Sequence, residues 1–146
     1  MSSRDEIGAE GEFARVRLRG SMLIRALLGE MVELPDDLVA RFPELADATW
    51  RAGGLPPRVG GWFLGRRSVA AITLWRTVYL APGVAPHPEL LLHELGHVRQ
   101  FGRSLWFPLH YLWESVRRGY SGNKYEHEAQ AFAEARLRSA NLSTHA

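Results

Sequence analysis

"LLLHELGHVRQF", residues 90–101, places two histidines four positions apart and a glutamate directly after the first of them. Residues four apart lie on one face of a helix, so the imidazoles of His93 and His97 can converge on one Zn²⁺ ion. Glu94 then points to one side of the ion, where its carboxylate can take a proton from a water molecule that the metal activates. The H-E-x-x-H pattern therefore predicts a catalytic zinc site.

The apolar residues around this motif predict the helix that a zinc site requires. Leu91, Leu95 and Val98 recur at helical spacing and leave the other helix faces free to carry ligands. The same apolar residues also allow a metal-free interpretation, in which a core helix carries two hydrogen-bonded histidines. A third ligand decides between the two, because a catalytic zinc site has three protein ligands and one open position.

Two common sources of a third ligand are missing from the sequence. The metzincin pattern requires a Gly and a His three and six residues after the second histidine, and those positions hold Gln100 and Arg103. The chain has no Cys, which excludes a thiolate ligand, a disulfide framework and a cysteine nucleophile. The third ligand is therefore expected from a separate helix.

The segment "NKYEHEAQAFAEA", residues 123–135, offers such a helix. Its Glu126, His127 and Glu128 lie 29 to 31 residues beyond His97, after a predicted helical hairpin. Each has a side chain that can bind zinc. The spacing alone does not choose among the three.

At these residues the chain resembles the gluzincin clan of zinc metallopeptidases, which carry H-E-x-x-H on one helix and a glutamate ligand on a later one. In "EHEAQ", residues 126–130, the resemblance implies Glu126 as the third ligand and Ala129 as the small residue of the clan's E-x-x-A-D motif. Gln130 stands where the clan often has Asp, and its amide oxygen can still accept a hydrogen bond from a ligand imidazole.

A narrower resemblance covers residues 66 to 134. There the chain is similar to a short bacterial H-E-x-x-H domain of unknown function found in proteins of extracellular contractile injection systems. A β-hairpin, an H-E-x-x-H-V-x-Q helix and an E-x-E-A segment recur in the same order, although Trp75 and Arg76 replace the glycine that this domain often has in its hairpin. The resemblance implies that "TVYLAP", residues 77–82, is an edge strand that pairs with an extended peptide substrate. Alternatively, this strand only completes the sheet.

The 146 residues predict one α+β domain of minimal gluzincin-like form. A small antiparallel sheet, formed by the strands "GWFLG", "SVAAITLW" and "TVYLAPG", packs on the motif helix, and a helical hairpin carrying the third ligand follows. "RAGGLPPRVGG", residues 51–61, is predicted to be a loop. The chain divides into a flexible lead, an N-terminal helical segment, a minimal metallopeptidase-like core and a tail: residues 1–12, 13–57, 58–140 and 141–146.

Composition and charge indicate which partners to expect. The net charge is only +2 and no run of five or six like charges occurs, so nucleic acid is not an expected partner. The polar amino terminus lacks a signal peptide, and the longest apolar stretches are about half the ~20 residues that span a bilayer. We therefore expect a cytoplasmic protein without membrane association. "LWFPLHYLW", residues 105–113, is expected to pack in the core, with a docking surface or a membrane contact as the alternatives.

These features predict a small zinc-dependent metallopeptidase that acts on a peptide or protein substrate, with Glu94 as general base. The alternative is a metal-stabilised, non-catalytic module that binds a partner protein in an assembly. A side chain that stabilises the transition state is also expected near the metal. Five residues are candidates, without a ranking: His110, Tyr111, Tyr120, Tyr125 and His127.

Overall fold

The computed structural model describes residues 22–63 and 69–144. The flexible lead predicted for residues 1–12 lies outside them, as do residues 13–21 of the predicted helical segment. The elements follow in this order: α1 (residues 22–28), β1 (Glu30–Met31), α2 (Asp36–Arg41), a 3-10 helix (Pro43–Asp47), β2 (Thr49–Ala52), α3 (Pro56–Phe63), β3 (Ala71–Leu74), β4 (Thr77–Leu80), α4 (Pro88–Arg103), α5 (Phe107–Arg118), a second 3-10 helix (Tyr120–Gly122) and α6 (Lys124–Thr144). The predicted α+β class is confirmed.

The strands form one four-stranded sheet in the order β1-β2-β4-β3. β3 and β4 are the predicted antiparallel hairpin, with Ala71 opposite Leu80 and Leu74 opposite Thr77. β2 runs parallel to β4, so the sheet is mixed, and the prediction of an antiparallel sheet is wrong at this pairing. The expectation that residues 77–82 form an edge strand is also wrong, because β4 lies between β2 and β3. Among the described strands, β3 is the strand of the hairpin that lies at the edge of the sheet.

The amino-terminal half differs most from the prediction. The segment predicted to be helical contains β1 and β2 as well as α1 and α2. α3 covers residues predicted as a loop and as the strand "GWFLG". Pro56 begins α3, where a missing backbone N–H costs nothing because the first helical N–H groups have no partner within the helix. The two prolines that indicated a loop therefore start a helix.

The hydrophobic core lies between the sheet, the first 3-10 helix, α4 and α6. Trp50 on β2 donates its indole N–H to the Leu45 carbonyl at 2.9 Å, which fastens the 3-10 helix to the sheet. The apolar residues predicted to line the motif helix are buried in this core: Leu91 and Leu95 are fully buried, and Val98 is nearly so. Each such side chain stabilises the fold by about 1.5–3 kcal/mol. The core consists of Phe42, Leu45, Trp50, Val78, Leu80, Leu91, Leu92, Leu95, Val98 and Ala133.

α5 and α6 form the predicted helical hairpin. α5 begins at Phe107 with Pro108 in its first turn, so this proline restarts the chain as a new helix after α4. Asn123 caps the N-terminus of α6, and its Oδ1 accepts the backbone N–H of Tyr125 at 2.9 Å. Its amide also donates to the Tyr111 carbonyl at 3.2 Å, which ties the two helices together. α6 continues to Thr144, so most of the predicted tail is helical.

None of the described helices combines the length and the apolar character needed to cross a bilayer.

Candidate metal centre

Gly96 and Ala129 set the distance between α4 and α6. A Cβ atom built on Gly96 would lie 2.9 Å from Ala129 Cα and 3.0 Å from its Cβ, so only glycine allows this approach. Glu126 precedes Ala129 by one helical turn. The close contact therefore brings the Glu126 carboxylate against the face of α4 that carries His93 and His97.

The three predicted ligands form one compact group. Nε2 of His93 lies 3.4 Å from Glu126 Oε2, and Nε2 of His97 lies 3.3 Å from Glu126 Oε1. The two Nε2 atoms are 3.2 Å apart. One donor atom from each side chain lies within 4.8 Å of the other two, so the group can hold a metal ion.

The group is buried, and its charges favour a cation. Burial raises the pKa of the Glu126 carboxyl, but hydrogen bonds from His93, His97 and Tyr111 hold it well below its usual range. Burial lowers the pKa of the His97 imidazole, but the hydrogen bond to Glu126 and the charge of Glu94 raise it above its ordinary value. Glu126 is therefore ionised at neutral pH, and a metal ion bound to this group would displace a proton from His97 when that ring is charged.

Gln100 orients His97 for binding. Its Oε1 lies 2.9 Å from Nδ1 of His97, so the neutral ring carries its proton on Nδ1 and leaves the Nε2 lone pair for a metal. The Gln100 amide donates to the Tyr125 carbonyl at 2.9 Å and to Glu128 at 3.3 Å, which fixes its orientation. The sequence analysis used Gln100 to exclude metzincins and as the last residue of the H-E-x-x-H-V-x-Q pattern, and gave it no role beside His97. Its position three residues after His97, on the same helix face, was the missed signal.

Gln130 does not have the supporting role expected of it. Its amide donates to Glu89 at 3.4 Å and to Glu134 at 3.1 Å. α4 and α6 run antiparallel, so a residue one turn after Glu126 lies beside the first turn of α4, beyond the histidines. Among the described residues, Gln100 supports a ligand histidine in its place.

Glu94 is near the ligand group but not part of it. It is 6 % exposed, and its Oε2 accepts a hydrogen bond from Thr73 Oγ1 at 2.7 Å. Thr73 lies on β3, so the carboxylate faces the sheet, whereas His93 and His97 face α6. This position suits a carboxylate that does not bind the metal, as H-E-x-x-H predicts. Sequence reasoning missed Thr73, because it is 21 positions from Glu94.

Tyr111 contacts the ligand group from α5. Its hydroxyl donates to Glu126 Oε1 at 2.5 Å. Burial and the charge of Glu126 raise the pKa of this hydroxyl well above its usual range, so it remains a hydrogen-bond donor at neutral pH.

The other candidates lie elsewhere. His110 and His127 are exposed, Tyr120 begins the second 3-10 helix, and the Tyr125 ring packs on Phe107 at 5.1 Å. Of the three candidate third ligands, Glu126 joins the histidines, whereas Glu128 is exposed like His127.

Comparison of the chain with protein-family models, curated proteins and solved structures found no match. The resemblance to gluzincins therefore stays a prediction. The candidate centre depends on the geometry of His93, His97 and Glu126.

Proposed function

We propose that the protein is a zinc-dependent hydrolase, a small metallopeptidase of the gluzincin type. His93, His97 and Glu126 hold the metal, and Glu94 is the general base. The observation that carries the proposal is a group of two imidazoles and one carboxylate whose donor atoms lie within 4.8 Å of one another, beside a buried glutamate that stays outside the group.

The residues around the metal have separate roles. When bound, zinc polarises a water molecule and the carbonyl of the bond to be cut. Glu94 accepts a proton from the attacking water and passes it to the leaving nitrogen. Thr73 holds one oxygen of this carboxylate at 2.7 Å, which leaves the other oxygen for the proton.

Gln100 and Tyr111 position the ligands. Gln100 selects the tautomer of His97 in which Nε2 is unprotonated. Tyr111 donates to one oxygen of Glu126, so the second oxygen is available as the ligand atom. When substrate binds, the phenol can turn its one O–H from Glu126 to the substrate oxygen and stabilise the negative charge that develops there.

The proposed substrate is an extended peptide that adds to the β3 edge of the sheet. β3 is an outer strand of the sheet in the described part of the chain. Its Thr73 contacts Glu94 directly, so a peptide paired along β3 passes beside the proposed general base. This assignment replaces residues 77–82 as the proposed binding strand.

A second candidate is a metal-stabilised assembly module that cleaves nothing. Trp106 and Trp113 favour it, because they are 66 % and 64 % exposed and form an apolar surface that a catalytic centre does not need. In this case the metal would only fasten α6 to α4.

A cleavage assay on a peptide library tests the proposal. We compare the zinc-loaded wild type with Glu94→Gln and with Glu134→Gln, which alters an exposed glutamate on α6. The wild type and Glu134→Gln are expected to cleave, and Glu94→Gln is expected to retain zinc and lose activity by at least about a thousandfold. An inactive wild type with a full zinc complement would favour the assembly module.

A further inference from the structure

The outward face of α5 carries an apolar stripe. Residues on one side of this helix, together with the turn that leads into it, are large, hydrophobic and between 54 % and 76 % exposed. At 100° per residue they cover about a third of the helix circumference without a polar residue among them. The apolar stripe consists of Leu105, Trp106, Leu109, Leu112, Trp113 and Val116.

Contacts on the opposite face of α5 prevent this helix from rotating about its axis. Phe107 is 4 % exposed and packs edge-on against Phe101 at 4.6 Å. Tyr111 donates to Glu126, and the Asn123 amide donates to the Tyr111 carbonyl. A rotation of α5 that buried the stripe would break all of these contacts. The expectation that residues 105–113 pack in the core is therefore wrong for most of this segment.

The charges beside the stripe are predominantly positive. Residues 103–124 contain four basic residues and one acidic residue, which is a net charge of +3, whereas the whole chain carries +2. The remainder of the chain is therefore at −1. The acidic residue, Glu114, is paired with Arg118 at 3.4 Å. Arg118 projects from the other side of α5, and the three remaining basic residues are exposed and lie close to the ends of the stripe in the sequence: Arg103, Arg117 and Lys124.

We propose that this face of α5 lies flat on an anionic lipid bilayer. An interfacial helix of this kind has leucine and tryptophan on one face and basic residues around it. The leucines enter the boundary between headgroups and acyl chains, Trp106 and Trp113 occupy the interface, and the basic side chains contact lipid phosphates. The excess of +3 complements the negative charge of an anionic bilayer, and lipid is therefore the occupant that we test. The expectation of no membrane association is thereby replaced.

Attachment through α5 would hold the candidate metal centre near the lipid. Tyr111 projects from the opposite face of the same helix and contacts Glu126. The ligand group then lies about one helix diameter, roughly 10 Å, from the bilayer surface.

Vesicle co-sedimentation of the full chain tests this proposal. Vesicles of phosphatidylcholine are compared with vesicles that also contain phosphatidylglycerol. We expect binding to the anionic vesicles, weak binding to the neutral ones, and a decrease with added salt. Leu109→Glu combined with Trp113→Glu is expected to weaken binding by at least about tenfold. Both positions are exposed, so circular dichroism should show unchanged folding.

A matched control variant distinguishes the effect of the apolar stripe from the effect of exposed hydrophobic residues elsewhere on the protein. Leu142 on α6 is 74 % exposed and lies outside the stripe, so Leu142→Glu should bind as the wild type does. Equal binding by the stripe variant and the wild type would overturn the proposal, as would the absence of wild-type binding to anionic vesicles. A wild-type dimer that the stripe variant converts to a monomer, without lipid binding, would assign the stripe to self-association instead.

Discussion

Gly96 on α4 and Ala129 on α6 meet at backbone contact, and this contact brings Glu126 to the two histidines. A side chain at Gly96 has no room, because its Cβ would lie 2.9 Å from Ala129 Cα. The glycine inside H-E-x-x-H thus determines where the third donor sits, although the pattern itself leaves that position unspecified.

Gly96→Ala is expected to weaken zinc binding by at least about tenfold and to lower the free energy of unfolding by about 1–3 kcal/mol. The methyl group pushes α6 away and separates Glu126 from the histidines. Alanine is the better helix former, but the gain of about 1 kcal/mol does not offset the clash. Gly102→Ala is the control, since its Cβ would meet nothing within 4 Å. Competition with a chelator and chemical denaturation measure the two effects. Wild-type zinc affinity in Gly96→Ala would contradict this role of the contact.

Gln100→Ala is expected to weaken zinc binding by about 10–100-fold, because His97 loses the acceptor that fixes its tautomer. Gln130→Ala should leave the affinity unchanged, since Gln130 contacts only Glu89 and Glu134 among the described residues. The same competition titration compares the two variants. If Gln130→Ala has the larger effect, the support of the ligand histidine is misassigned.

Asn123→Ala is expected to lower the free energy of unfolding by about 2–3 kcal/mol. The buried amide caps α6 and donates to Ser115 Oγ at 2.8 Å and to the Tyr111 carbonyl. Asn141→Ala, which removes an exposed hydrogen bond from Arg41, should cost less than about 0.5 kcal/mol. Urea denaturation measures both. Equal, small losses would show that the α5–α6 junction is not held by Asn123.

The ion pair between Glu44 and Arg136 is expected to make stability depend on pH. Burial raises the pKa of the Glu44 carboxyl, but the hydrogen bond from Arg136 holds it below its usual range. The pair therefore stabilises the fold above the unfolded pKa and is lost as the pH falls below about 4. Because the Arg136 side chain is 38 % exposed, solvent screens the pair and its contribution is at most about 1 kcal/mol. Glu44→Gln should flatten the acid side of the stability curve, and an unchanged slope would contradict the assignment.

The elements predicted correctly are those with strong local signals. The apolar residues at helical spacing on the motif helix and the β3–β4 hairpin both depend on residues that are close together in the sequence. β1 was missed because a two-residue strand is too short to show a period. β2 was missed because it is defined by its pairing with β4, which is distant in the sequence. α3 was missed because its glycines and prolines are also typical of a loop.

Within the candidate site, the motif residues were readily predicted and their partners were not. His93, Glu94 and His97 are read from one helix, and Glu126 needed the gluzincin resemblance to be chosen. Thr73 and Tyr111 reach the site from separate elements, and no periodicity in the sequence indicates which residues meet. The apolar stripe on α5 was misassigned because a hydrophobic run predicts burial by default.

Anomalous diffraction at the zinc edge, from crystals of the zinc-loaded wild type, tests the central claim most directly. We expect one zinc per chain, bound by Nε2 of His93, Nε2 of His97 and a carboxylate oxygen of Glu126 at about 2.0–2.2 Å. A chain that takes up no zinc on reloading, or a zinc peak away from these three side chains, would contradict it.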